Sequence, residues 1–224
     1  MAFGLCFLAT GTEVDGEAAL KAQLPEIFTK AAAHYKALDA MAAPLMKNPK
    51  LKGGYGTPHG WRADKKEPHM CSLYWWTAGH YPGSLWYLYE ATGEEFFRKR
   101  AQEWTEIIAP NAKVTDNHDV GFIMYCSFGN ARRLLRTDKY DELLREAASS
   151  LSKRFNSKLG LIRSWGALDE DKNFLVIPDN MMNLELLEWA SKHGERGTGN
   201  GEREKRFDEI ARSHATKTDR KSVV

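Results

Sequence analysis

The amino-acid sequence predicts an all-α fold built as two concentric layers of helices, an α/α toroid, and three observations carry that expectation. Helical periodicity runs through most of the 224 residues. From residue 79 onward one unit recurs three times: an irregular loop, a mostly apolar helix, a tight turn and a charged amphipathic helix. No segment shows the sustained alternation of a strand, and the short FLVI at 174–177 is the sole candidate. A helix that is apolar on nearly every side has to be covered all round, whereas one with a single apolar stripe needs cover on one face only. Strict alternation of the two kinds therefore puts inner helices around a centre and outer helices against water, with the loops that enter the inner helices opening at one end.

Residues 1–16, MAFGLCFLATGTEVDG, are expected as an N-terminal segment. The apolar run is short and lacks a preceding positive charge, so as written it is a poor signal peptide and too short to span a bilayer. It reads as a remnant of an export signal: the protein is cytoplasmic as written and periplasmic if the N-terminus is truncated. Residues 17–42 carry apolar positions at three- and four-residue spacing and predict a helix broken near Pro25. Residues 48–76, with Gly53, Gly54, Gly56, Pro58, Gly60 and Pro68, have no period and predict a long loop.

In the first unit, 79–91 is the apolar helix, with Pro82 tolerable in its first turn, and 95–109 its amphipathic partner. The second pairs 119–136 with 139–155, and the third pairs 180–194 with 202–217 across the glycine-rich ERGTGNG. The ending ATKTDRKSVV abandons the period, so 17–218 reads as an α/α-toroid domain and 219–224 as a tail. Three hairpins and a leading helix are too few to close a ring, and the edge of a repeat array needs a neighbour or a polar cap. The chain therefore reads as part of something longer.

Net charge is +2, from 32 basic and 30 acidic residues spread along the chain, which gives no electrostatic case for a nucleic-acid or membrane partner. Three cysteines, Cys6, Cys71 and Cys126, are odd in number and lack CxxC spacing, so they read as small apolar fillers. No cofactor motif stands out. The cluster DNHD offers metal-ligand types without a second cluster at matching spacing, and phosphate loops and nucleophile elbows are missing. His193 and His214 sit near helix ends, where a solvated or C-capping role is expected.

Seven tryptophans and eight tyrosines concentrate in LYWWTAGHYPGSLWYLYE (73–90) and at loop points such as Trp61 and Trp165. Flat amphipathic rings in loops suit a sugar cleft, because the C–H face of a pyranose stacks on them while their N–H and O–H groups reach hydroxyls. Helix-borne Trp104 and Trp189 are expected in the core instead.

The stretch TDNHDVGF (115–122) crowds polarity against the start of an inner helix and puts Asp119 at its mouth. VIPDNMMN (176–183) does the same with Asp179, and Pro178 biases Ile177 towards extended backbone, which makes Asp179 the point where the chain turns. Aspartate at a helix start is commonly just a cap for the free N–H groups of the first turn. The company of His118, Asn180 and Trp165 favours a site. Two carboxylates facing each other across a cleft can drive one to hold a proton near neutral pH, a general acid.

WWTAGHYPGSLWYLYEATG, TDNHDVGFIMYCSFGNARRL and VIPDNMMNLELLEWAS, in that order and spacing, resemble the unsaturated glucuronyl hydrolases, family 88 of the glycoside hydrolases, and look closest to those acting on glycosaminoglycan disaccharides. The likeness runs from about residue 20 to about residue 217. It implies an (α/α)6 barrel, of which this chain holds about half. It also implies a reaction outside the usual retaining and inverting schemes: hydration of the C4=C5 vinyl ether that lyases leave on a terminal uronate, after which the hemiketal falls apart and frees the sugar. Carried over by motif, Asp179 is the general acid/base and Asp119 its partner carboxylate. His118, Trp165 and Trp76 line the subsite, with Trp75 able to exchange roles with Trp76. The partner implied is a small oligosaccharide bearing an unsaturated uronate, with no cofactor. Competing readings are an unsaturated rhamnogalacturonyl hydrolase and a non-catalytic sugar-binding helical repeat.

Overall fold

The structure, a computed structural model, describes residues 12–169, 173–194 and 201–221. Helix α1 (Thr12–Ala42) runs unbroken through Pro25, against the expected break. The residues around Pro25 are exposed, so water can satisfy the carbonyl that proline leaves unpaired, and Thr29 Oγ1 donates to the Pro25 carbonyl at 2.8 Å. The helix also crosses the expected boundary at residues 16/17, beginning at Thr12.

Residues 48–76 are not merely a loop. They contain an antiparallel hairpin, β1 (Gly56–Arg62) with β2 (Glu67–Ser72), bulged between Pro58 and Gly60. Its strands are Gly- and Pro-rich and present no buried face of alternating apolar residues, so the period-2 signal never forms. A second, two-residue ladder joins β3 (Phe155–Asn156) to β4 (Leu161–Ile162). FLVI is extended but belongs to no strand; Ser164 N–H donates to Leu175 O at 2.8 Å and Ile177 N–H to Ser164 Oγ at 3.0 Å.

The three expected hairpins are present. Inner helix α2 (His80–Thr92) pairs with outer α3 (Glu95–Glu106). The second inner helix is continuous but changes pitch, from α4 (Val120–Met124) through a π-helical turn (Tyr125–Gly129) to α5 (Asn130–Leu135), and packs on α6 (Asp141–Ser152). Ser127 Oγ donates to Ile123 O at 2.7 Å within the π turn. The third begins with a 3₁₀ turn (Pro178–Asn183), continues as α7 (Leu184–Lys192), and packs on α8 (Gly201–Lys221), which overruns the expected tail boundary at 218/219.

Inner helices lie side by side because glycines let them close. A Cβ on Gly79 would lie 2.2 Å from Ile123 O, and one on Gly121 2.4 Å from Asn183 Cβ. The core holds Trp86, Trp104, Phe97, Phe128 and Ile123, all essentially inaccessible, and Trp189 is buried with them. Buried Asp39 of α1 ties the layers together: it accepts from Trp104 Nε1 at 2.8 Å, Tyr81 Oη at 3.2 Å and Arg100 Nε at 2.6 Å. Burial pushes the Cys126 thiol up to about 11, which suits an inert filler, and Cys71 is also a free thiol. Cys6 lies outside the described residues. Among the described residues no helix is long and apolar enough to cross a membrane.

His193 is the C-cap residue of α7, with its ring stacked on Trp189. His214 departs from expectation. It is fully buried, and its Nδ1 accepts the Ile162 N–H at 3.0 Å. Burial, with a smaller contribution from the neighbouring His118, pushes its pKa down to about 4. The unfolded chain therefore binds a proton there that the folded chain does not, and stability present above pH 6.5 is lost as pH falls through that window towards 4. His214→Asn is expected to flatten the dependence of thermal stability on pH between about 6.5 and 4. Melting curves across that range check it, and an unchanged slope would contradict the assignment.

Candidate functional site

Asp119 and Asp179 stand at the same end of the inner layer, and neither side chain caps its own helix. The N–H of Phe122, in the first turn of α4, is instead satisfied from across the layer, by Asn183 Oδ1 at 2.8 Å. That reach depends on the missing side chain at Gly121. A neighbouring amide thus takes over the cap, and the Asp119 carboxylate is left for other work. The Asp119 backbone is held by Asn117, whose Oδ1 accepts the Asp119 N–H at 2.9 Å in an Asx turn.

The second carboxylate is placed through Asn180, which is fully buried. Its Nδ2 donates to Ile162 O at 3.0 Å, and its Oδ1 accepts Asn183 Nδ2 at 3.3 Å. Ile162 is fixed from its other side by His214, so β4 anchors the turn that presents Asp179. Ile177, ahead of Pro178, is extended at φ −123°, ψ 153°.

Both carboxylates converge on one imidazole. His118 Nε2 lies 3.1 Å from Asp119 Oδ1 and 3.7 Å from Asp179 Oδ1, so the two oxygens are no farther apart than those distances together. Neither ring nitrogen of His118 has a well-aligned hydrogen bond, although both are buried. The 3.1 Å approach is close contact without hydrogen-bond alignment. His118, expected as a lining ring, is fully buried, with its Nε2 edge against both carboxylates. The two acids differ in setting. The Asp119 side chain is 12% exposed and that of Asp179 43%, so Asp179 faces the open side and Asp119 stands behind it.

Aromatic rings continue from this centre. Trp165, 40% exposed, lies 5.6 Å from the His118 ring, and its backbone bridges to Asn117. On the other side Phe122 is 6.4 Å from His118, and Trp76, 46% exposed, stands edge-on to Phe122 at 6.3 Å and to His80 at 5.8 Å. Burial lowers the His80 pKa, which keeps that ring neutral at physiological pH. Trp75 turns away to the hairpin, 5.7 Å from His59. The sequence leaves Trp75 and Trp76 interchangeable; in the structure Trp76 joins the row beside the carboxylates.

Under the row lies Arg154, which sequence reasoning passed over as part of a charged outer helix. It is 2% exposed and donates to the carbonyls of Thr115, Arg163 and Gly166, which ties the TDNHD loop to the Trp165 loop. Burial and the neighbouring Arg163 push its pKa down to about 10, opposed by Asp116 and Asp119. Asn117 and Asn183 were missed as well. NMMN, with amides three apart on one helical face, was the one local signal for Asn183. Among the described residues no group of three or more His, Cys, Asp or Glu is placed to hold a metal ion.

No family model matches the chain. It is similar to an unsaturated glucuronyl hydrolase of Formosa agariphila, 41% identical over 118 residues that make up 52% of this chain and 30% of that protein. An unsaturated chondroitin disaccharide hydrolase of Streptococcus pyogenes is 31% identical over 121 residues, again 52% of this chain and 30% of the relative. Among solved structures, an unsaturated glucuronyl hydrolase specific for heparin superposes with a TM-score of 0.71 at 32% identity, covering 88% of this chain and 47% of that one. The chain thus spans under a third of these curated relatives in sequence and about half of the solved chain in structure. The likeness read from its motifs, in fold and in kind of enzyme, holds over that shared part.

Proposed function

We propose that this chain carries the paired-carboxylate side of the active site of an unsaturated glucuronyl hydrolase, acting on lyase-generated glycosaminoglycan-type disaccharides. The observation that supports it best is the convergence of Asp119 and Asp179 on His118 at the open end of the inner layer. The enol ether of a 4,5-unsaturated uronate is electron-rich at C4, and protonation there leaves an oxocarbenium ion at C5. Asp179, the more exposed acid, gives that proton. A water adds at C5 and returns a proton to Asp179. The C5 hemiketal then opens, which leaves a hemiacetal at C1 that expels the leaving saccharide as an alcohol. Asp119, desolvated behind Asp179, keeps negative charge near the cationic transition state and fixes the orientation of its partner. Trp165 and Trp76 flank the ring being hydrated and hold it by stacking.

The test is the loss of conjugated-uronate absorbance when chondroitin-lyase disaccharides are added to the protein. Turnover supports the assignment. A folded protein that neither turns over nor binds these disaccharides overturns it and leaves a sugar-binding repeat as the better description.

A further inference from the structure

Phe122 is the third residue of α4, and its N–H is one that the side chain at the start of a helix ordinarily takes. Asp119 stands at that start with a suitable group and does not take it. Asn183 Oδ1 is there instead, at 2.8 Å. Asn183 itself opens α7 but caps nothing on that helix, so its amide serves the neighbouring one. It is fully buried, and the crossing needs Gly121, where a Cβ would come within 2.4 Å of Asn183 Oδ1.

The other end of the same amide reaches the second acid-bearing turn. Asn183 Nδ2 donates to Asn180 Oδ1 at 3.3 Å, and Asn180 directly follows Asp179. Asn180 is held in turn by the Ile162 carbonyl, at 3.0 Å. One buried side chain therefore touches α4 just beyond Asp119 and the 3₁₀ turn just beyond Asp179.

We propose that Asn183 is a positioning residue, which keeps the Asp119 carboxylate off its own helix end and so leaves it beside Asp179. Asn183 and Asp119 compete for one N–H. Asn183 prevails because Asn180 fixes its amide from the far side, whereas Asp119 would have to leave the neighbourhood of His118 Nε2, 3.1 Å from its Oδ1. Without the amide, the Phe122 N–H stays buried with no acceptor, a larger penalty than the rotation of one carboxylate. Asp119 then turns into the cap, and the two acids part. The consequence for catalysis rests on the hydrolase reading; the competition for the N–H does not.

A double-mutant cycle followed by thermal unfolding decides the competition. Asp119→Ala alone is expected not to lower Tm, since no cap is lost. In an Asn183→Ala background the same substitution is expected to lower Tm by about 3 °C, the loss of one N-cap in a chain of this size. A merely structural Asn183 would give Asp119→Ala the same effect in both backgrounds, and that result overturns the proposal. Asn183→Asp keeps the acceptor, so Asp119→Ala should again leave Tm unlowered there; a fall overturns the proposal even if Asn183→Ala does not fold. In a form of the protein that turns over an unsaturated disaccharide, Asn183→Ala is expected to lose kcat on the order of a hundredfold with KM little changed, and Asn183→Asp to recover part of it. A kcat kept within about threefold in Asn183→Ala overturns the proposal too. Absence of turnover in the wild type counts against the hydrolase reading alone, and the cycle in Tm still decides the role of Asn183.

Discussion

Asp179→Asn is expected to lower kcat on an unsaturated disaccharide by about a thousandfold, in any form of the protein that turns the substrate over, with KM little changed. The amide nearly matches the carboxyl group in shape and can still hydrogen-bond, but it cannot deliver a proton to C4 or take one from water at C5. An interaction used only in the transition state shows in kcat, whereas loss of a sugar contact would show in KM. Folding should be untouched, since the Asp179 side chain is 43% exposed and caps nothing. Steady-state kinetics on the conjugated-uronate absorbance, with a melting curve as control, check this. A variant within tenfold of the wild type would remove Asp179 from the acid/base role.

Arg154→Met is expected to lower stability by about 3 kcal/mol, or roughly 10 °C in Tm for a chain of this size. The substitution leaves the buried Arg163 carbonyl and the half-buried Thr115 carbonyl without their shared donor, while the Gly166 carbonyl, on an exposed residue, can turn to water. Unmade bonds of that kind cost about 1–3 kcal/mol each, and relief from burying a cation offsets part of the sum. Arg154→Lys keeps the charge but cannot span carbonyls on two loops with a planar fork, so it should fall between. The same change frees the Trp165 loop from the TDNHD loop, and quenching of Trp165 fluorescence by acrylamide should rise. Unchanged thermal unfolding in Arg154→Met would mean that other contacts hold the two loops.

What could be read from the residues was local. The alternation of apolar and amphipathic helices is a short-range period, so the three hairpins, their layering and the two acid-bearing junctions were legible in order. Pro178 biases its neighbour towards extended backbone through a local steric clash, so the place where Asp179 enters its turn was legible too. The hairpin at Gly56–Ser72 was not, because its Gly- and Pro-rich strands form no half-buried face and so leave no alternation to detect. Pro25 misled for a related reason: a proline breaks a helix at a cost set by surroundings that the sequence does not state.

The sequence by itself determined which residue types stand at the mouth of the inner layer and in what order they arrive. Only the tertiary structure decided their surroundings. His118, expected to line the subsite, is fully buried beside both acids; His214, expected solvated or C-capping, is buried and anchors β4; Asp119, expected as the partner carboxylate at a helix mouth, makes no cap there, and Asn183 satisfies the Phe122 N–H in its place. Each of these depends on the approach of segments far apart in the chain, across glycines that leave room for it. A carboxylate is free for chemistry only when some other group satisfies the helix end beside it, and that group is chosen by packing.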